Sequence, residues 1–186
     1  MNHYLEIQIL PDPEFIPSII MNVLYSKLHS ALVKTGRSDI GLSFPDFNLK
    51  RKQLGMRLRL HGTEEGLMCL MPNVPLTGLR DHLWIGNIQE VPAGTSYIKV
   101  QRVQCKSNAE RMRRRLIKRK KITEEEALAI IPDSVQKHLN LPYLTLKSVS
   151  TGQSFQLFIR QEVTINQVPG IFNLYALSNQ ATVPMF

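Results

Sequence analysis

The sequence predicts an α+β protein. A ferredoxin-like (RRM-like) βαββαβ domain is expected over residues 1–94, followed by a smaller α/β domain at 95–186 with an arginine-rich helix at 108–121. Three observations predict this. The apolar period switches between two and 3.6 residues in the order β-α-β-β-α-β over roughly the first 92 residues. A Pro-Ala-Gly-Thr break follows at 92–95. Finally, the window 99–121 holds 11 basic residues and one acid, Glu110, while the rest of the chain has 12 basic against 14 acidic residues.

The elements follow in order. Residues 3–10 alternate, with Leu5, Ile7 and Ile9 opposite Tyr4, Glu6 and Gln8, which is strand periodicity. Pro11 and Pro13 break it. From 17 to 34, Ile20, Val23, Leu24, Leu28, Ala31 and Leu32 recur at helical spacing, and Thr35-Gly36 ends the helix. Residues 40–44 read as a short strand. Residues 56–60 read as another, with Arg57 and Arg59 on its outer face. Thr63 caps a short helix to 71, with Glu64 and Glu65 in its first turn. A fourth strand is expected at 83–91.

The second half opens on a strand at 97–104. Ser107 or Asn108 can cap the basic helix, and Glu110 suits its first turn. Thr123-Glu124-Glu125-Glu126 is a capping box for the next helix, which Pro132 stops. A further turn or two is expected at 133–139, then strands at 145–150, 154–163 and 171–177, the first two joined by a hairpin at Thr151-Gly152.

Bulk composition narrows the function classes. With 43% hydrophobic and 20% charged residues among 186, the chain can build a core, which argues against a disordered polyelectrolyte. Cys69 and Cys105 make neither a disulfide framework nor a zinc motif, so a reducing compartment is expected. There is no secretory signal pattern and no apolar run of membrane-spanning length. The expectation is a soluble cytoplasmic protein, without a membrane role, whose partner is a polyanion.

The basic helix carries that partner. Arg111, Arg114, Arg115, Lys118 and Arg119 recur at three- and four-residue spacing and line one face, with Met112, Leu116 and Ile117 on another. Like charges in register destabilise a helix unless a polyanion neutralises them. Arginine adds bidentate phosphate contacts, so nucleic-acid binding outweighs a merely solvated face. In the preceding strand Arg102 and Gln104 are two residues apart and share a face, a candidate pair for guanine and adenine edges. Taken alone, that pair is also what any half-exposed strand carries.

The remaining candidates are weaker singly. His29 lies one residue past Leu28 at the edge of the first helix's apolar stripe; a lone histidine there is more often structural. His3, His61, His82 and His138 show no HxxxH or HxH spacing, so no metal site is expected and no cofactor is implied. Ser148 and Ser150 share one strand face, and Tyr175 alternates with Leu174 and Leu177. There is no GxSxG, P-loop or GxGxxG motif.

Read together, the strings LHSAL, GLSFP, VQRVQCKSNAERMRRRL, TEEEA with IIP, LKSVSTGQSFQLFIR, NLYALS and VPMF resemble, in order and across essentially the whole chain, the repeat-processing endoribonucleases of type I-F CRISPR systems. The resemblance implies a metal-independent RNase, without cofactors. It would cut precursor transcripts at the 3′ base of the repeat hairpin by 2′-OH attack and then retain the product. His29 matches the general base, Ser148 the group holding the upstream nucleotide, and Tyr175 the residue that orients the site. Ser150, on the face of Ser148, is grouped with them. Arg102 and Gln104 match the readers of the G and A at the foot of the stem, and Phe155 the platform under its terminal pair. Arg114, Arg115, Lys118 and Arg119 match the helix that enters the groove, and Ser107 and Arg111 are counted as RNA-binding beside them. Lys118 stands where arginine is expected, keeping the charge without the fork. The implied partners are CRISPR repeat hairpin RNA, precursor and mature, and the other Cas subunits of a type I-F surveillance complex. Two alternatives are a non-catalytic hairpin-binding subunit and a DNA-binding regulator; the latter lacks a recognisable helix-turn-helix.

Overall fold

A computed structural model describes residues 1–104, 109–133, 139–148 and 151–186. These fall into two units, Met1–Val103 with Leu141–Phe186, and Gln104–Asn140. The expected caps Ser107 and Asn108, most of the expected turn at 133–139, and Ser150 lie outside the described residues.

The first unit begins with β1 (His3–Ile9), α1 (Pro17–Thr35), β2 (Gly41–Ser43), β3 (Arg57–Gly62), α2 (Glu64–Leu70), β4 (Leu83–Ile85) and β5 (Gln89–Glu90). The antiparallel strands run β2-β3-β1-β4, with β5 beside the start of β1. The alternation in β1 buries Leu5, Ile7 and Ile9 against α1. Pro17 pre-sets the first turn of α1. Gly36, at φ 64°, closes the helix with its N–H on the Leu32 carbonyl. Thr63 caps α2, its Oγ1 accepting from the Gly66 N–H at 3.0 Å.

Two expectations need correction here. The strand expected at 83–91 is two strands. Between them the Gly86 N–H turns to the Glu6 carbonyl at 2.9 Å, so the edge re-pairs with β1 further along. Arg59 does not face out: it is 6% exposed. Glu6 accepts its Nε and Nη2 at 3.0 and 2.6 Å, Nη1 reaches the Phe186 carbonyl at 2.7 Å, and the Phe186 ring lies 4.0 Å from the guanidinium. A paired, roofed charge can be buried where a lone one cannot.

The second sheet comprises β6 (Ser96–Val103), β7 (Tyr143–Lys147), β8 (Ser154–Thr164) and β9 (Val183–Met185), antiparallel in the order β7-β8-β6-β9. Gly152, at φ 69°, makes the β7–β8 turn, where Ser148 and Gly152 bond across backbone. The strand expected at 171–177 is a folded loop instead. Asn173 Oδ1 accepts from the N–H groups of Tyr175 and Leu177, and Ala176 sits at φ 55°. A side-chain acceptor thus took the place of a ladder. β9, not expected, carries Pro184 on the sheet's edge, where a missing N–H is tolerated.

Within this unit the sheets share one core, with Leu24, Leu28, Leu58 and Leu60 joined to Val100, Leu144, Leu146, Leu157 and Ile159. The Gln161 amide bonds both the N–H and the carbonyl of Phe44, at 2.8 and 3.0 Å. The Leu42 N–H donates to the Ala176 carbonyl at 3.1 Å, tying the 171–177 loop to β2.

In the second unit, α3 (Ala109–Lys120) and α4 (Glu124–Ile130) are joined through Lys121 at φ 54°. Both halves of the capping box form, Glu126 N–H to Thr123 Oγ1 at 3.2 Å and Thr123 N–H to Glu126 Oε2 at 3.0 Å. There are four α-helices among the described residues, and none is long and apolar enough to cross a membrane.

Candidate active site

α1 presents Ser26, His29 and Ser30 on the edge of its buried stripe. His29 is half-buried, and its Nδ1 lies 2.8 Å from the Leu174 carbonyl. A carbonyl only accepts, so Nδ1 carries the hydrogen, and the neutral ring keeps its lone pair on Nε2. The Tyr175 ring lies parallel to the imidazole, with centroids 4.0 Å apart and 7° between planes.

Tyr175 is itself pinned. The Tyr25 hydroxyl, on the buried face of α1, donates to the Tyr175 carbonyl at 2.8 Å. Burial pushes the Tyr25 phenol well above its ordinary value, so it stays a donor. On the other side of the residue, the Tyr175 N–H donates to Asn173 Oδ1 at 2.9 Å.

β7 and β8 supply the opposite wall. Leu146 and Phe155 are cross-strand partners. Ser148 follows β7 in the hairpin, half-buried, its Oγ accepting from the Thr151 N–H at 3.3 Å. A pocket of about 310 Å³ is lined by Ser26, His29, Ser30, Leu146, Lys147, Ser148, Phe155 and Tyr175. A larger cavity of about 450 Å³, between the start of α1, residues 52–56 and Tyr143, is mostly apolar and has no histidine. The smaller pocket is the chemically equipped one.

Arg102, on the face of β6 that also buries Ile98 and Val100, lies 5.7 Å from both the Phe155 and the Tyr175 ring centroids. Four residues singled out from sequence, His29, Ser148, Phe155 and Tyr175, thus line one pocket, and Arg102 touches two of them. Gln104 is exposed, just past the end of β6. Ser107 and Ser150 are among the residues not described.

Sequence reading missed Tyr25, Ser26, Ser30 and Lys147. Ser26 and Ser30 had a signal, since positions three before and one after His29 border the same helix edge. The carbonyl of Leu174 had none: a backbone acceptor is invisible in a sequence.

In the second unit the basic face of α3 is exposed at Arg111, Arg114, Arg115, Lys118 and Arg119, while Ala109 and Leu116 are buried. Arg113 is turned to a structural use, bonding the Ile131 carbonyl at 2.9 Å and Asp133 at 2.8 Å. Glu110 reaches Arg114 only at 3.6 Å.

The second unit exposes an arginine face, and in the first unit a histidine stands beside a serine and a stacked tyrosine: an α+β protein with a histidine-bearing polar pocket. The chain belongs to the Cas_Csy4 family of CRISPR-associated proteins, whose model matches residues 4–186. It is 50% identical, over the full length of both chains, to a protein of Pseudomonas aeruginosa (strain UCBPP-PA14) named CRISPR-associated endonuclease Cas6/Csy4. A protein of the same name from Escherichia coli (strain UTI89 / UPEC) is 42% identical, again over the full length of both.

Proposed function

We propose that this chain is an endoribonuclease that recognises the hairpin of CRISPR repeat RNA and cuts the precursor at the 3′ base of the stem, without a protein-held metal, and then keeps its product. The names of its relatives support the endonuclease activity and the CRISPR context. The observation that carries the mechanism is the His29–Leu174 bond, which leaves Nε2 as an acceptor at the pocket. RNA brings its own nucleophile. The 2′-OH gives its proton to Nε2, its oxygen bonds the adjacent phosphorus, and the 5′-oxygen leaves with the electrons of its P–O bond and takes a proton from water. The products are a 2′,3′-cyclic phosphate and a 5′-hydroxyl end. Ser148 holds the ribose upstream of the cut, with Ser150 beside it, and Tyr175 keeps the imidazole in plane.

In this reading Arg102 and Gln104 read the foot of the stem, and Phe155 stacks under its last pair. The α3 cations, with Ser107, grip phosphates rather than bases, because an A-form major groove is too deep and narrow for ordinary side-chain reading. We read 1–94 as a ferredoxin-like domain that supplies the general base, and 95–186 as the RNA-contacting domain. Cytoplasmic residence and assembly with other Cas subunits follow from the same reading.

The test is a repeat hairpin incubated with the protein in EDTA, beside the same RNA with one 2′-deoxy sugar upstream of the cut. Cleavage of the first and not the second is expected. Cutting that requires a divalent metal, or that persists in the deoxy RNA, would sink the mechanism. His29→Ala should abolish cutting and leave hairpin binding within about threefold, since a general base adds little to ground-state affinity.

A further inference from the structure

Three side chains stand in series in the first unit, two of them stacked and the third in cation–π contact. The His29 imidazole lies 4.0 Å from the Tyr175 ring, and the Arg102 guanidinium lies 5.7 Å from the centroid of that same ring. Phe155, also at 5.7 Å, flanks the guanidinium a second time. Among the described residues Arg102 has no carboxylate and no hydrogen-bond acceptor, so two aromatic rings are what hold this half-buried cation. Its planar fork of donors is therefore aimed by cation–π contact and left unspent.

The stack has fixed points. The Tyr175 carbonyl is held by Tyr25, its N–H by Asn173, and His29 is held by the Leu174 carbonyl next door in sequence. Residues 174 and 175 thus bind His29 through a backbone acceptor and a ring at once. Among the described residues, the Tyr175 ring is the one piece that lies against both the imidazole and the guanidinium. A guanidinium engaged bidentately by a guanine edge is fixed in the plane of that base. Fixing it settles the ring on which it rests, and with it the imidazole stacked behind. A guanidinium without its base is held by the two rings alone, with no donor fixed in a plane.

We propose that Tyr175 is a positioning residue that couples base reading by Arg102 to the placement of His29, so that the identity of the base at the stem foot sets the rate of cutting as well as the strength of binding. This rests on the function proposed above. It runs through the tyrosine's ring and not through its hydroxyl.

The experiment compares two hairpins, one with guanine at the stem foot and one with that pair exchanged, in single-turnover cleavage at saturating protein. Wild-type protein should cut the exchanged RNA at least about tenfold more slowly even at saturation, the discrimination a bidentate guanine contact provides. Tyr175→Phe keeps the ring and should keep that ratio. Tyr175→Leu keeps the backbone bonds, and its residual cutting should differ between the two RNAs by less than about threefold. Equal saturated rates in the wild type would overturn the coupling, and so would a Tyr175→Leu variant that keeps the wild-type ratio. A residue that merely supports the fold would lower both rates and leave the ratio unchanged. A second measurement needs no variant. The His29 imidazole resonances of the wild-type protein, bound to 2′-deoxy versions of the two hairpins, should differ; identical spectra overturn the proposal. If the wild type binds but cuts neither RNA, the proposed function has failed, and the resonance comparison still decides the coupling.

Discussion

Tyr25→Phe removes a single oxygen that lies away from the pocket lining. That oxygen donates to the Tyr175 carbonyl at 2.8 Å, and Tyr25 is 1% exposed. The phenyl ring still packs against Phe44, its stacked neighbour at 6.4 Å, so the apolar contact survives. What is lost is one hydrogen bond, together with the partner of a carbonyl in a half-buried turn, a cost of about 1–3 kcal/mol. For a chain of this size that lowers the melting temperature by roughly 2–12 °C. The second consequence is functional. The carbonyl anchors the residue whose ring stacks on His29, and under the proposed function a general base displaced by a fraction of an ångström loses much of its advantage, so single-turnover cleavage should fall about tenfold or more. Hairpin affinity, which the same reading assigns to charges elsewhere, should change by less than about threefold. The assays are urea or thermal unfolding, filter binding with 2′-deoxy hairpin, and single-turnover cleavage. A variant as stable as wild type that cuts within twofold of its rate would refute the view that Tyr25 fixes the 174–175 turn beneath the histidine.

Other perturbations test the scaffold and the charge. His61 is fully buried with Nε2 at 2.9 Å from Ser43 Oγ, and burial, with help from Arg59, holds its pKa at about 3. Between the ordinary pH 6.5 and about 3 the unfolded chain binds a proton that the folded one refuses. Stability should therefore fall on acidification by up to about 1.4 kcal/mol per pH unit from this residue. His61→Gln should flatten the difference in urea midpoints across pH 6.5 to 4.5; an unchanged slope would count against the assignment. Glu6→Ala strands the Arg59 guanidinium, 6% exposed, without its carboxylate, and should cost about 3–5 kcal/mol by chemical denaturation, far beyond a surface pair. For the basic face, Arg115→Ala should make the slope of log affinity against log salt shallower by about 0.9, one phosphate contact's worth, for cognate and unrelated hairpins alike. A slope that stays put would take Arg115 out of the interface.

How far the sequence was legible depended on whether a feature was local. The Thr63 cap, the Thr123 capping box and the Gly36 stop depend on neighbours within one turn, and residues such as Thr123 and Glu126 sit where their spacing put them. Arg59 was misjudged because strand alternation identifies two faces without saying which will be roofed. Its cover comes from Phe186, 127 positions away. The 171–177 loop was misjudged for a related reason: its alternating pattern suits a strand, but Asn173 satisfies the backbone locally and the chain turns. His29 is the mixed case. Its place on the helix was readable, and its gathering with Ser148, Phe155 and Tyr175 followed from a resemblance to a family. Its tautomer hangs on a backbone carbonyl 145 residues on and could come only from the fold.

The separation of charge from chemistry has a kinetic consequence under the proposed function. The exposed cations of α3 meet phosphates of the stem, and a cut at the foot of that stem leaves those phosphates as they were. Their contribution is equal for substrate, transition state and product, so it tightens binding without accelerating the step. Acceleration has to come from groups whose interaction changes as the 2′-oxygen closes on phosphorus, and those are neutral side chains: a histidine with one nitrogen already committed, a serine, and a tyrosine fixed through its backbone. The same equality accounts for the product retention proposed above. Nothing the cut does weakens the helix's hold, so a protein built this way gives up turnover and keeps its RNA. That outcome suits a chain whose product serves as part of a ribonucleoprotein, and it would be a defect in an enzyme that degrades RNA.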